Sequence, residues 1–160
     1  MSDTPQWFET DPALMSAEIE AMGRMCPEAT HGFLDDGRMF WRVPLGVGVE
    51  GVPSSWEFLA IYRDNHPTWK PDSSVRIYPV SPSEDELLQM ARDAGIERNS
   101  IPHTIRDSNG LAISCETPDQ VRSLDRGMIP SAASYVPLVK RWIAGFTLWL
   151  HHKGEATQWL

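Results

Sequence analysis

A long amphipathic stretch near the end of the chain constrains the fold more than any other feature. From about Ser134 to Lys153, apolar residues recur at the spacing of an α-helix, with Pro137 placed in the first turn. The predicted buried face consists of Val139, Trp142, Ile143, Phe146, Trp149 and Leu150. A helix with so broad an aromatic face needs another layer of structure to cover it.

The best candidate for that layer is residues 55–63. Trp56, Phe58, Ala60 and Tyr62 alternate with polar residues, as expected for a half-buried strand. Further strands are predicted within residues 33–45, around the hairpin signal Asp36-Gly37, and over residues 74–80.

Asp11 as N-cap and Pro12 at the first helical position predict a helix that ends before Pro27. Its apolar face contains Met15, Ile19, Met22 and Cys26, so Cys26 is expected to be a buried structural residue. Residues 1–10 are predicted to form a loosely held arm. Together these elements predict an α+β fold: an N-terminal helix, an antiparallel sheet of about four strands, and a long C-terminal helix on the sheet.

One more helix is predicted over residues 84–94. Ser83 and Glu86 have the spacing of a capping box, and Gly95 is suited to the C-terminal end.

The length and charge narrow the functional classes. With 160 residues, the chain is expected to form a single domain spanning residues 1–160. Its net charge of −8 argues against nucleic acid or an anionic membrane as a partner. The apolar run at 142–150 is too short to span a bilayer. Two cysteines and no recognisable signal peptide favour reduced thiols and a cytoplasmic location.

Residues 101–115 contain the most distinctive chemistry. The polar turn Asp107-Ser108-Asn109-Gly110 is followed by Leu111 and Ile113, and then by Cys115. This pattern places Cys115 just beyond a tight turn, where solvent could reach the thiol. Accessibility and ionisation are what make a thiol reactive.

The run from His103 to Gly110, followed by Cys115 and by Pro-Ser-Ala-Ala before the last helix, resembles the active-site segment of ubiquitin-conjugating enzymes. These enzymes carry a ubiquitin-like protein as a thioester on one cysteine. The resemblance implies a ubiquitin-conjugating-enzyme-like fold, with Cys115 as the catalytic residue. Thr104 and Ile105 replace the proline and asparagine that follow the histidine in the family. The interval from Gly110 to Cys115 is also two residues longer, and the helix at 84–94 is an insertion.

Two further catalytic candidates follow from the resemblance. Asn109 would supply an amide to the thioester oxygen, and His103 would orient the turn or the incoming amine. A structural histidine and a turn asparagine are the alternatives. Catalysis would then depend on backbone N–H groups or on a residue of the target.

The divergent, small and acidic chain resembles bacterial ubiquitin-conjugating-like proteins of anti-phage operons. In those that signal with cyclic oligonucleotides, such a protein links the C-terminus of a cyclic-nucleotide synthase to a lysine. The implied partner is therefore the cyclic-nucleotide synthase or the C-terminus of a ubiquitin-like protein. The protein would act with a separate activating enzyme or pair directly with the synthase. No cofactor is implied.

Three alternatives remain at this point. A Cys-His hydrolase would use Cys115 with His103 or His66, and Asp107 as the orienting acid. A non-catalytic binding module would have the same fold, with Cys115 incidental. Zinc binding is disfavoured, because the cysteines and histidines lack ligand spacing.

Overall fold

The structure, a computed structural model, describes residues 4–64, 66–67, 74–97, 100–114 and 131–154. Within these residues the chain forms four helices and six strands. The helices are α1 (Trp7–Thr10), α2 (Pro12–Met25), α3 (Glu84–Asp93) and α4 (Ala132–His151). The strands are β1 (Thr30–Phe33), β2 (Met39–Gly46), β3 (Ser55–Tyr62), β4 (Val75–Ser81), β5 (Thr104–Asp107) and β6 (Gly110–Ile113).

All six strands belong to one antiparallel sheet with the order β1-β2-β3-β4-β6-β5. The predicted α+β class is therefore confirmed, but the expected count of about four strands was wrong. The two additional strands are β5 and β6, which are the two halves of the segment that leads to Cys115. They pair with each other and join the sheet through Ile77 of β4, which lies opposite Ile113 of β6.

The predicted helix starts are largely confirmed. The Asp11 side chain accepts a hydrogen bond from the Leu14 N–H at 3.1 Å, so it caps α2. The Ser83 capping box starts α3, and Gly95 follows it with φ of +84°. Helix α4 begins earlier than expected, with Ser131 as N-cap, so Pro137 lies inside the helix rather than in its first turn.

The main core lies on one face of the sheet, under α2 and α4. Side chains on this face include Trp41 and Val43 of β2, Phe58 and Tyr62 of β3, and Ile77 of β4. The predicted face of α4 is buried at all positions except Leu150, which is partly buried.

The N-terminal region differs from its prediction in two respects. Trp7 is 5% exposed and belongs to the main core, so residues 7–10 form a packed helical turn and not a loose arm. On α2, Met22 and Cys26 are buried as predicted, whereas Ile19 is 38% exposed. Glu18 takes the inward position instead, as described below.

The opposite face of the sheet, called the open face below, carries a second and smaller apolar cluster. Its buried members are Ile61, Tyr78 and Ala112. Ile61 projects to this face because neighbouring residues of a strand alternate between the two sides. Among the described helices, none has the length and apolar character needed to cross a bilayer.

Candidate functional site

The segment that resembles a thioester-carrier site is a β-hairpin. Strands β5 and β6 pair from Thr104 opposite Ile113 to Asp107 opposite Gly110. The Asp107 carboxylate accepts the Asn109 N–H at 2.7 Å, and Gly110 has φ of +115°, which glycine adopts without strain. The polar residues at 107–110 therefore form the hairpin turn, as their composition predicted.

His103 lies at the other end of the hairpin, where the chain continues toward Cys115. Its carbonyl oxygen accepts the Ser114 N–H at 2.8 Å and the indole N–H of Trp142 at 3.2 Å. Its φ of +56° is in the left-handed region, and its side chain is exposed. His103 is thus fixed beside Ser114, the residue before Cys115. Cys115 itself lies outside the described residues.

The structure does not bring Asn109 to the same end. Asn109 is an exposed residue of the turn, separated from His103 by the whole length of β5. With a rise of about 3.3 Å per strand residue, the two ends of the hairpin are roughly 13 Å apart. The two accessory candidates, His103 and Asn109, therefore occupy opposite ends of one hairpin.

Asp107 also has its partners at the turn end. Its carboxylate accepts hydrogen bonds from the Tyr78 hydroxyl at 2.5 Å and the Arg76 guanidinium at 2.6 Å. Partial burial alone would raise the pKa of Asp107, but the bonds from Tyr78, the Asn109 N–H and Arg76 outweigh it and hold that pKa below its usual range. Burial, together with the bond to Asp107, raises the pKa of Tyr78, so its hydroxyl remains a donor.

His66, the other candidate base of a hydrolase, is enclosed in the core. Its side chain is fully buried, its Nδ1 is hydrogen-bonded to the Ser74 hydroxyl, and its Nε2 lies 3.3 Å from Glu18 Oε1. Asp107 contacts Arg76 and Tyr78 at the end of the hairpin far from Ser114. This geometry disfavours a triad in which Asp107 orients either His66 or His103.

Glu18 is a buried polar residue that sequence reasoning missed. Its Oε2 atom accepts hydrogen bonds from the Tyr62 hydroxyl at 2.5 Å, the Ser131 hydroxyl at 3.1 Å and the Ala132 N–H at 3.1 Å. A carboxylate at the N-terminus of α4 also interacts favourably with the helix dipole. Burial, and then the Glu18 charge, raise the pKa of Tyr62 far above its usual value, so its hydroxyl stays protonated.

A signal for this buried carboxylate was present in the sequence. Glu18 lies three residues after Met15 and four before Met22, so it shares their face of α2. A charged residue on the apolar face of a helix needs buried partners. The identity of those partners depends on residues 44 to 114 positions away, which helical periodicity does not address.

Among the described residues, no group of three histidine, cysteine or acidic side chains is arranged to hold a metal ion. Cys26 is buried, and its sulfur lies 3.6 Å from the Pro44 carbonyl oxygen. Burial is the main reason that the pKa of the Cys26 thiol is raised, which suppresses its reactive thiolate form.

Comparison with known proteins finds no family model that matches the chain, and no curated protein or solved structure that matches it significantly.

Proposed function

We propose that this protein is a ubiquitin-conjugating-like transferase that carries the C-terminal acyl group of another protein as a thioester on Cys115 and transfers it to a lysine. The observation that carries the proposal is the position of His103. The double hydrogen bond to its carbonyl oxygen fixes the histidine beside Ser114, at the point where the chain leads to Cys115. In the family that the segment resembles, a histidine and the cysteine belong to one active site.

The order of elements is compatible with the ubiquitin-conjugating-like fold that we propose. A helix, α2, precedes four consecutive antiparallel strands, β1 to β4, and the hairpin and a long helix follow. The insertion of α3 between β4 and the hairpin distinguishes this chain from the common pattern. The buried residues Leu87 and Ala91 make α3 part of the core.

The proposed chemistry has two acyl transfers. The Cys115 thiolate attacks an activated acyl carbonyl, which a separate activating enzyme presents as a thioester. The thiolate of the activating enzyme is the leaving group. A lysine amine then attacks the Cys115 thioester. The C–N bond forms, the C–S bond breaks, the sulfur leaves as thiolate, and the amine proton passes to solvent. Such transfer depends on positioning and on stabilisation of the oxyanion.

In this scheme His103 orients the incoming amine. Asn109 lies at the other end of the hairpin, so its role in the scheme is to shape the turn. The oxyanion contact is assigned to backbone N–H groups near Cys115 or to a residue of the target. This division of roles differs from the common enzymes, where an asparagine close to the histidine stabilises the oxyanion.

The proposed acyl donor is the C-terminus of a cyclic-nucleotide synthase in bacterial anti-phage defence, acting in the cytoplasm. This choice follows from the resemblance to bacterial ubiquitin-conjugating-like proteins. The acidic character of the chain, with a net charge of −8, suits docking on a basic surface of the partner.

Two variants of the cysteine test the proposal. The full chain is incubated with a separate activating enzyme, ATP and a cyclic-nucleotide synthase of the proposed class. Cys115→Ser is expected to trap a stable oxyester with the C-terminus of the synthase, and Cys115→Ala to form no adduct. An equal adduct with both variants, or none with the wild-type protein, would overturn the carrier role and favour a binding module. Hydrolysis of isolated peptides would indicate the hydrolase instead.

A second pair of variants tests the division of roles within the hairpin. His103→Ala is expected to form the thioester but to discharge it to lysine more slowly, by about tenfold to a hundredfold. Asn109→Ala is the matched control on the same hairpin and should discharge at the wild-type rate. Slow discharge by Asn109→Ala, with normal discharge by His103→Ala, would reverse the assignment.

A further inference from the structure

Three arginines converge on the open face of the sheet, next to the hairpin turn. Arg38 directly precedes β2, Arg63 directly follows β3, and Arg76 lies in β4. Strand pairing explains the convergence. Phe40 of β2 lies opposite Ile61 of β3 in an antiparallel pair. Arg38, two residues before Phe40, and Arg63, two residues after Ile61, therefore lie at the same level of the sheet. Ile61 in turn lies opposite Arg76.

These arginines line one cavity of about 160 Å³, together with Ile61, Tyr78, Asp107, Ser108 and Asn109. The lining therefore carries three guanidinium groups and the Asp107 carboxylate, and the Asp36 carboxylate lies beside it, paired with Arg38. Three guanidinium groups against two carboxylates leave these groups with an excess of positive charge, in a chain whose net charge is −8.

Ion pairs hold the guanidinium groups of Arg38 and Arg76 at the wall. Arg76 binds Asp107 at 2.6 Å, and Arg38 binds Asp36 at 2.8 Å. The side chains of Arg38 and Arg76 are 26% and 19% exposed, so both are partly desolvated. Partial desolvation strengthens the attraction of these groups for an anion, and their planar donor forks match the oxygens of a phosphate.

We propose that this cavity binds a phosphate group, either as free phosphate or as the phosphomonoester end of a small molecule. Its volume of about 160 Å³ is enough to admit a phosphate group. Guanidinium groups on three sides of one cavity can donate to several oxygens at once, and a phosphate offers more oxygens than a carboxylate. Ser108 and Asn109, both exposed in the hairpin turn, lie at the rim, where a substituent on the phosphate would emerge.

Calorimetric titration of the full chain with inorganic phosphate, AMP and adenosine tests the proposal. We expect saturable binding of phosphate or AMP with one site per chain, and none of adenosine. Tighter binding of AMP identifies a phosphomonoester as the ligand, whereas equal or tighter binding of phosphate identifies the free anion. Saturation by neither phosphate nor AMP would overturn the site.

Two variants and a control make the test specific. Arg63→Gln should weaken binding at least about tenfold, because it removes one charged donor. Ser108→Asp places a negative charge at the rim, in an exposed turn, and should also weaken binding. Arg92→Gln, on the exposed surface of α3, should retain the wild-type affinity. Wild-type affinity in Ser108→Asp, or equal losses in Arg63→Gln and Arg92→Gln, would contradict the proposal.

This site is independent of the proposed acyl transfer. It lies at the turn end of the hairpin, whereas Ser114 and His103 lie at the other end. Failure of phosphate binding would leave the Cys115 adduct assay unaffected, and the reverse also holds.

Discussion

The indole N–H of Trp142 donates a hydrogen bond to the carbonyl oxygen of His103 across 3.2 Å, which joins helix α4 to the end of the β5–β6 hairpin nearest Cys115. Trp142 is 2% exposed, and its ring stacks on Phe146 with centroids 5.2 Å apart. The position of the hairpin is therefore set from within the core and not only by its own strand pairing.

Trp142→Phe should loosen this end of the hairpin. The variant keeps an aromatic ring but removes the N–H donor and leaves a small cavity, so the free energy of unfolding should fall by about 1 to 3 kcal/mol. Hydrogen exchange should accelerate at the Ser114 N–H, which bonds to the same carbonyl, more than at Ala60 in the middle of β3. Uniform acceleration at both amides would instead indicate a general loss of stability.

Glu18→Ala should be strongly destabilising. It leaves the Tyr62 hydroxyl, the Ser131 hydroxyl and the Ala132 N–H without their shared buried acceptor, at an expected cost of about 3 to 5 kcal/mol. Glu20→Ala is the matched control on the same helix, because the exposed Glu20 pairs only with Arg24 among the described contacts. Its cost should be at most about 0.5 kcal/mol. Urea unfolding measures both, and similar values would contradict the buried network.

Leu87→Ala tests whether α3 is part of the core. Leu87 is 0% exposed, so truncation should cost about 2 to 5 kcal/mol through lost burial and a residual cavity. Leu148→Ala makes the same change on α4 at a site 48% exposed and should cost less than about 1 kcal/mol. Comparable urea midpoints for the two variants would show that α3 is dispensable for stability.

Asp107→Asn should change the acid dependence of stability. Because the pKa of Asp107 is lower in the folded than in the unfolded protein, its charge stabilises the fold above the unfolded value of about 3.9. This contribution is lost as the pH falls through the folded pKa. The wild-type advantage over Asp107→Asn should be constant above about pH 5 and shrink toward pH 3.

Urea unfolding between pH 3 and 7 measures this advantage. Tyr78→Phe removes one donor to Asp107 and should give a smaller acid-dependent change than the wild-type protein. Parallel curves for wild type and Asp107→Asn across the whole range would mean that the carboxylate contributes nothing through its ionisation.

Cys26 should alkylate slowly in the native protein. Its side chain is buried and its thiol pKa is raised, mainly by burial, so little reactive thiolate is available at neutral pH. In Cys115→Ser, where Cys26 is the remaining thiol, iodoacetamide labelling should be slow and should increase sharply in denaturing urea. Labelling at the same rate with and without urea would place Cys26 at the surface.

Local signals predicted much of the fold. Asp11-Pro12, the Ser83 capping box and the apolar period of residues 134–153 each correspond to an observed helix. These features depend on interactions within one or two turns, which the sequence displays directly. Helix α1 was missed because a single turn stabilised by the burial of Trp7 has no periodicity of its own.

The arrangement of the site was harder to predict. The turn at Asp107 to Gly110 was identified, but its flanks were not recognised as two paired strands. With that pairing, the separation of His103 from Asn109 follows from the length of β5 alone. The convergence of Arg38, Arg63 and Arg76 depends on the register of three strands, which local composition does not encode.

The Glu18 carboxylate stands where several distant parts of the chain meet. Its neighbours His66 and Ser131 are far apart in sequence, one after β3 and the other at the start of α4, and His66 is itself bonded to Ser74 at the start of β4. Replacing Glu18 would therefore weaken three junctions at once, namely the end of β3, the start of β4 and the start of α4. A substitution of Glu18 is therefore expected to appear as a defect of the hairpin in assays of the hairpin, although no described contact joins Glu18 to it.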